Sequence, residues 1–323
     1  MADEPKHFTW PSQFEHDGVT FFNFINPRVV KDQEIVKCRE DDVFVASYPK
    51  SGTTVMIEMV SLLMNDADVT ANLSSPQPAR VPMVEMYYKQ MTRYGWFYLL
   101  LNRILHLLPE FIRRRLFIPW VTPDLLSSFD GLSHIERIPK PRLIKTHLPY
   151  KLFPKQALRK NCKIVYIARN PKDVVVSYRH FVKLHPPHFF WIPWDTFYRT
   201  FVDGKLCYGD WFNHVLEWWD HKGDSNILFL KYEDLKKNPR EVLRDTARFL
   251  DIRVTEEMED VILEHCSFRK MKENKAVNFD QSRSFIRKGV IGDWRNNFTV
   301  AQNKEFEKMY QERMKGTDLD FEW

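Results

Sequence analysis

The chain has 323 residues, 44% of them hydrophobic, enough for one large core that buries about three quarters of the unfolded surface. Its net charge is only +5, from 48 basic and 43 acidic side chains. So mild an excess argues against a nucleic-acid partner, which calls for a concentrated basic face, but suits a small anionic ligand where a few cations converge.

In chain order, the opening stretch MADEPKHFTWPSQFEHDG is polar and acidic, which predicts neither a signal peptide nor a membrane anchor. Val43–Ser47 is the first of four short, β-branched apolar runs that read as buried parallel strands. It leads into Tyr48-Pro49-Lys50-Ser51-Gly52-Thr53-Thr54 and then a helical pattern over Thr54–Asn65. A strand, a Gly-containing turn and a helix make an anion site, because the helix N-terminus offers unpaired N–H groups and a partial positive charge. Gly52 lets the backbone approach a phosphate, Lys50 adds a full charge, and Ser51, Thr53 and Thr54 add hydroxyls. The loop is not GxxxxGK[ST], since its lysine precedes the glycine. Alone, such a turn serves as a structural cap as readily as a phosphate site.

The next stretch is long and aromatic. Met83, Met86, Tyr87, Tyr88, Tyr94, Trp96, Phe97 and Tyr98 either roof a pocket or pack in the core. Within it, Trp96–Leu108 is too short to span a membrane and contains Asn102, Arg103 and His106, so a buried or lid helix is expected. The second strand, Arg142–Lys145, runs into Thr146 and His147. Lys145 and His147, two apart at a strand end, project to the same side. An unperturbed imidazole pKa of about 6.5 suits a general base, although a surface histidine is the plainer reading. The third strand, Lys163–Ala168, ends at Arg169, which can grip a phosphate bidentately. Ser177 lies two turns into the following helix. Either the two share one anion, or Arg169 pairs with Asp173 while Ser177 packs.

A second aromatic cluster runs from Phe181 through Phe189, Phe190, Trp191 and Trp194. Helical patterns cover Tyr208–Lys222, Pro239–Leu250 and Ala301–Lys315, and the fourth strand is Ile227–Lys231. Near the C-terminus, Arg287 and Lys288 precede Gly289 and either wrap a phosphate or form a solvated turn. Strands alternating with helices predict a single α/β domain over residues 1–323, with ligands at the carboxyl ends of the strands. The four cysteines, Cys38, Cys162, Cys207 and Cys266, lack CxxC or metal spacing. Neither disulfides nor zinc are expected, and the chain reads as cytoplasmic.

YPKSGTT, KTHLP, RNPKDVVVSY, the KYEDL–NP segment at 231–239 and RKGVIGDW together resemble motifs of the cytosolic sulfotransferase family, in that family's order. The wording around Tyr48, SGTT, AVNF and FIRKG also resembles invertebrate members. The resemblance implies a three-layer α/β sandwich with a central parallel sheet, related to P-loop kinases. It implies transfer of a sulfuryl group from 3'-phosphoadenosine-5'-phosphosulfate (PAPS) to the hydroxyl of a small lipophilic acceptor such as a phenol, sterol or retinoid. The product nucleotide would be adenosine 3',5'-bisphosphate (PAP).

The same resemblance assigns roles to residues. Lys50, Ser51, Gly52, Thr53 and Thr54 would hold the 5'-phosphosulfate. Arg169 and Ser177 would bind the 3'-phosphate, with Phe285, Ile286, Arg287, Lys288 and Gly289 closing on it. Val55, Tyr232, Cys266, Ser267, Phe268, Arg269, Lys270 and Met271 would surround the adenosine. His147 would be the catalytic base, with Lys50 and Lys145 neutralising developing charge. Lys145, Thr146, His147 and Phe181 would meet the acceptor. No acidic metal-ligand cluster accompanies the loop, so no metal is expected.

Three positions depart from the family pattern. Val55 stands where tryptophan is common, and Cys266 where threonine or serine is usual. The dimer motif KxxxTVxxxE reads from Arg295 to Lys304, with lysine in place of the final acid and Glu305 one place on. A homodimer by that route is left open. His185 follows HFVKL where an acid would pair an amine, which leaves only a distant residue such as Glu85 as counter-ion. The alternatives are a P-loop-type nucleotide kinase and a non-catalytic phosphoadenosine-binding homologue.

Overall fold

An antiparallel hairpin, β1 (Phe14–His16) and β2 (Val19–Phe21), precedes the main sheet. Its two-residue turn is Asp17-Gly18, with φ of 49° and 73°. Asp-Gly suits this turn because both central residues must take positive φ. Each strand is only three residues long, too short for its alternation to signal a strand in the sequence. The computed structural model describes residues 7, 13–87, 130–183, 192–277 and 286–323. Tyr88, Tyr94, the Trp96–Leu108 stretch, His185, Phe189, Phe190, Trp191 and Phe285 lie outside the described residues.

The four apolar runs form one parallel sheet. Strand β3 (Val43–Ala46) is flanked by β4 (Leu143–Thr146) and β5 (Lys163–Ala168), and β5 pairs on its far side with β6 (Ile227–Lys231). Side chains alternate between faces along each strand, and both faces are apolar. Phe44, Ala46, Ile144, Ile164 and Tyr166 belong to one core cluster. Val43, Val45, Leu143, Val165 and Ile167 belong to the other. Helix α1 (Thr53–Leu63) covers the second face with Met56, Ile57 and Val60. Helices α2 (Pro171–Lys183) and α3 (Trp211–Trp219) cover the first with Val174, Val175, Val215 and Trp218. The result is a three-layer α/β sandwich.

Helix boundaries shift to where caps intervene. The pattern over Tyr208–Lys222 forms a helix only from Trp211, because Asp210 accepts from the Asn213 N–H at 2.7 Å. Tyr208 itself has φ of +72° and lies outside the helix. The C-terminal helix, α4 (Val300–Arg313), starts one residue early behind a capping box of Thr299 and Gln302.

Candidate active site

A cavity of about 660 Å³ opens where the parallel strands end. The β3 end supplies Lys50, Gly52, Thr53, Thr54 and Val55, the β4 end Lys145 and His147, and the β5 end Arg169. Helix α2 adds Ser177 and Phe181, and the residue after β6 is Tyr232. Cys266, Ser267, Phe268 and Met271 line the far end, opposite Ile286, Arg287, Lys288 and Gly289. Sequence positions up to 265 apart thus line one cavity, because parallel strands deliver their loops to the same edge.

The loop after β3 is shaped by backbone need. Lys50 and Gly52 adopt φ of 72° and 106°, and Gly52 caps α1. A Cβ at Gly52 would come 2.6 Å from the Tyr232 ring, and one at Gly289 would come 2.4 Å from Phe268. Both glycines therefore let an aromatic ring of the cavity wall sit against the backbone.

Cations dominate the floor. Lys50 is pulled down to about 7, first by burial and then by Lys145, Arg169 and Arg287. Burial also lowers Lys145, against the pull of Glu85. The Lys50 ammonium sits 4.6 Å from the centre of the Phe181 ring, and the Arg169 guanidinium 4.4 Å from that of Tyr232. Ser51 Oγ and Arg169 Nε are buried with no hydrogen-bond partner among the described residues. Converging cations, orphaned donors and a backbone opened by glycine fit a ligand that carries phosphate at both ends. The plainer reading of Arg169 is also partly present, since its Nη2 lies 3.2 Å from Asp173 and donates to the Val290 carbonyl at 2.9 Å. Asp173 in turn accepts from the Gly292 and Trp294 N–H groups, while Asp293 pairs with Arg287 and, at 2.7 Å, with Lys288. These contacts hold the turn that carries the two cations. Beside it Lys172, buried, lies between the Trp294 and Trp323 rings.

His147 is 8% exposed and fixed from several sides. Its Nδ1 lies 2.8 Å from the Ser47 carbonyl, which can only accept, so Nδ1 carries the proton and Nε2 holds the lone pair. Burial, then the nearby Lys145 charge, pushes its pKa well below the usual value, so the ring is neutral at physiological pH. Its backbone N–H donates to Glu85 at 2.6 Å.

Four expectations change. Thr146, expected to meet the acceptor, points away from the cavity, because strand residues alternate. It is fully buried and donates to Glu85 Oε2 at 3.0 Å. Arg269 and Lys270 face outward and sit 3.1 and 3.8 Å from Glu264. Glu85 is no counter-ion for an amine. It lies fully buried behind the wall, where it also accepts from the Tyr208 hydroxyl at 3.2 Å. Its role as the anchor of His147 escaped sequence reasoning, since the contact spans 62 positions. Ser51 lies beneath the cavity rather than on its wall. Phe24, Tyr178 and Tyr208 line it and were not anticipated.

Residues 40–318 match the sulfotransferase domain family. The chain is 40% identical over 292 residues to sulfotransferase 1B1 of the dog, covering 88% of this chain and 86% of that protein. It is 36% identical over 296 residues to human sulfotransferase 1C2, covering 88% and 87%. Among solved structures, retinol dehydratase in complex with retinol and PAP superposes with a TM-score of 0.77 at 30% identity, over 96% of this chain and 93% of that one. Mouse SULT7A1 complexed with PAP superposes with a TM-score of 0.72 at 30% identity, over 95% of each chain. With the match running from just before the first sheet strand to beyond the last helix, and with relatives above a third identical, the chain belongs to the sulfotransferase family.

Proposed function

We propose that this PAPS-dependent sulfotransferase sulfates the hydroxyl of a lipophilic alcohol or phenol, with His147 as the base. The observation that carries the proposal is the imidazole itself: Nδ1 is committed to the Ser47 carbonyl and the ring lies on the cavity wall beside Lys50 and Lys145. Bound PAPS supplies an activated sulfuryl group and leaves as PAP.

His147 Nε2 takes the acceptor's proton and makes its oxygen nucleophilic. Lys50 neutralises charge that builds on the bridging oxygen, and Lys145 faces the sulfuryl oxygens. Lys50, Gly52, Thr53 and Thr54 cradle the 5' end, with Ser51 beneath them. Arg169, Ser177, Arg287, Lys288 and Gly289 hold the 3'-phosphate. Tyr232, Val55, Cys266, Ser267, Phe268, Met271 and Ile286 surround the adenosine. Phe24, Met83, Met86, Phe181 and Tyr208 form an apolar wall beside His147, which supports a lipophilic acceptor. Among the described residues Lys50 and Lys145 are the charges on that side, which disfavours amines.

The chain acts as one domain in the cytoplasm, a setting supported by four free cysteines. A homodimer contact is proposed around Val300, an apolar side chain 76% exposed at the start of α4. Lys304 leaves that contact without its usual acid, and Glu305 is paired with Arg199.

Labelled PAPS offered with phenols, sterols, retinoids and amines tests the reading, with His147→Ala alongside. Transfer to phenols or alcohols that His147→Ala loses is the expected result. Robust transfer by the variant removes His147 as base. A wild type that binds PAP but sulfates nothing would be a non-catalytic homologue.

A further inference from the structure

Tyr166 on β5 and His214 on α3 are buried, at 0% and 1% exposure, and neither lines the cavity. They nonetheless connect its two halves. The ring of Tyr48, two residues before Lys50, packs on His214. The Tyr166 O–H donates to His214 Nδ1 at 3.0 Å. That contact places the His214 proton on Nε2, which donates to the carbonyl of His147 at 2.9 Å. Burial lowers His214 to about 4, so the ring stays neutral and the direction of the chain is preserved at neutral pH. Tyr48 meets His214 edge-on at 5.3 Å, and its hydroxyl donates to the Gly209 carbonyl at 3.0 Å.

Buried polar groups cost free energy unless every one is satisfied, and a core serving packing alone is as well built from Phe and Leu. Here both polar side chains are satisfied, one end of the chain of bonds is the backbone carbonyl of His147, and His214 packs against the Tyr48 ring of the phosphosulfate loop. We propose that Tyr166 and His214 are positioning residues, a bridge hydrogen-bonded to the base and packed on Tyr48 that sets the separation between the phosphosulfate loop and the base. The inference rests on His147 being the base. In-line transfer demands that the acceptor oxygen, the donor and the base be held together, and a small misplacement lowers turnover without weakening binding.

The test uses Tyr166→Phe, which keeps the ring and removes one O–H, and His214→Gln, which keeps an N–H donor and so guards against a variant that does not fold. The double variant and His147→Ala run alongside. Turnover is measured with PAPS and 4-nitrophenol, or the fastest acceptor of the panel, PAP affinity by calorimetry, and stability by urea unfolding. The expected result for Tyr166→Phe is a kcat about tenfold lower, with the KM for PAPS and the Kd for PAP within about twofold of wild type. The double variant should be no slower than the slower single one, because the two residues act as one unit. A Tyr166→Phe kcat within about twofold of wild type, whatever its stability, overturns the bridge, as do losses that multiply in the double variant. Full transfer by His147→Ala removes the base and the bridge with it. An inactive His147→Ala beside an unimpaired Tyr166→Phe removes the bridge alone.

Discussion

Gly52→Ala separates backbone strain from crowding at the phosphate loop. Gly52 sits at φ of 106°, where an L side chain costs about 1–2 kcal/mol. The new Cβ would also lie 2.6 Å from Tyr232 Cδ2 and 3.4 Å from Ile167 Cδ1. Tyr232 has little room to retreat, being 6% exposed with the Arg169 guanidinium over its ring. Forcing a methyl into such a place costs a further 1–3 kcal/mol or so. Gly18→Ala supplies the control, because Gly18 has φ of 73° and none of the described residues lies within 4 Å of its would-be Cβ. It should lose about 1 kcal/mol, and Gly52→Ala roughly 2–5 kcal/mol, in urea unfolding. Calorimetry should show PAP binding weakened at least tenfold or so by Gly52→Ala and untouched by Gly18→Ala, since only the first displaces Tyr232 and Arg169. Equal stability losses in the two variants, with PAP affinity retained in both, would refute the reasoning.

Lys50 should report itself through protons. It deprotonates near pH 7 in the free enzyme, and phosphates raise its pKa in the complex, so PAP binding at pH 8 should take up a proton. Affinity should then fall by up to about tenfold per pH unit above 7, and calorimetry in buffers of different ionisation enthalpy that finds no uptake would contradict this. Val55→Trp should tighten PAP binding by about 1–3 kcal/mol, or roughly 5- to 150-fold, by adding a ring to stack on the base; unchanged affinity would mean the base does not lie against position 55. Asp42→Ala should cost about 3–5 kcal/mol of stability, because it strands the buried Arg142 guanidinium that Asp42 grips at 2.6 Å, and should leave the PAP Kd unchanged.

The parts legible in the sequence were those whose signal is local. β-branched runs ending in polar residues located the sheet and three loops of the cradle, and alternation along β4 correctly paired Lys145 with His147. The same alternation, followed one step further, excludes Thr146 from the acceptor face. The Asp17-Gly18 turn was equally readable, but three-residue strands carry too little periodicity to announce themselves. What stayed hidden depends on contacts between distant segments. Glu85, Tyr208 and His214 act on His147 across 62 to 67 positions or through a shared carboxylate, and no spacing rule reaches that far. The outward turn of Arg269 and Lys270 likewise depends on how their short helix docks.

The cavity draws its two halves from different kinds of scaffold. The proposed donor half hangs on strand ends and on a carboxylate-pinned turn, where a single methyl group is disruptive. The proposed acceptor wall is made of Phe24, Met83, Met86 and Phe181, side chains whose size can change with no backbone constraint of that kind. Duplicated genes can therefore diversify the acceptors they serve while inheriting one unaltered nucleotide cradle, which makes this architecture a platform for chemical breadth under a common donor.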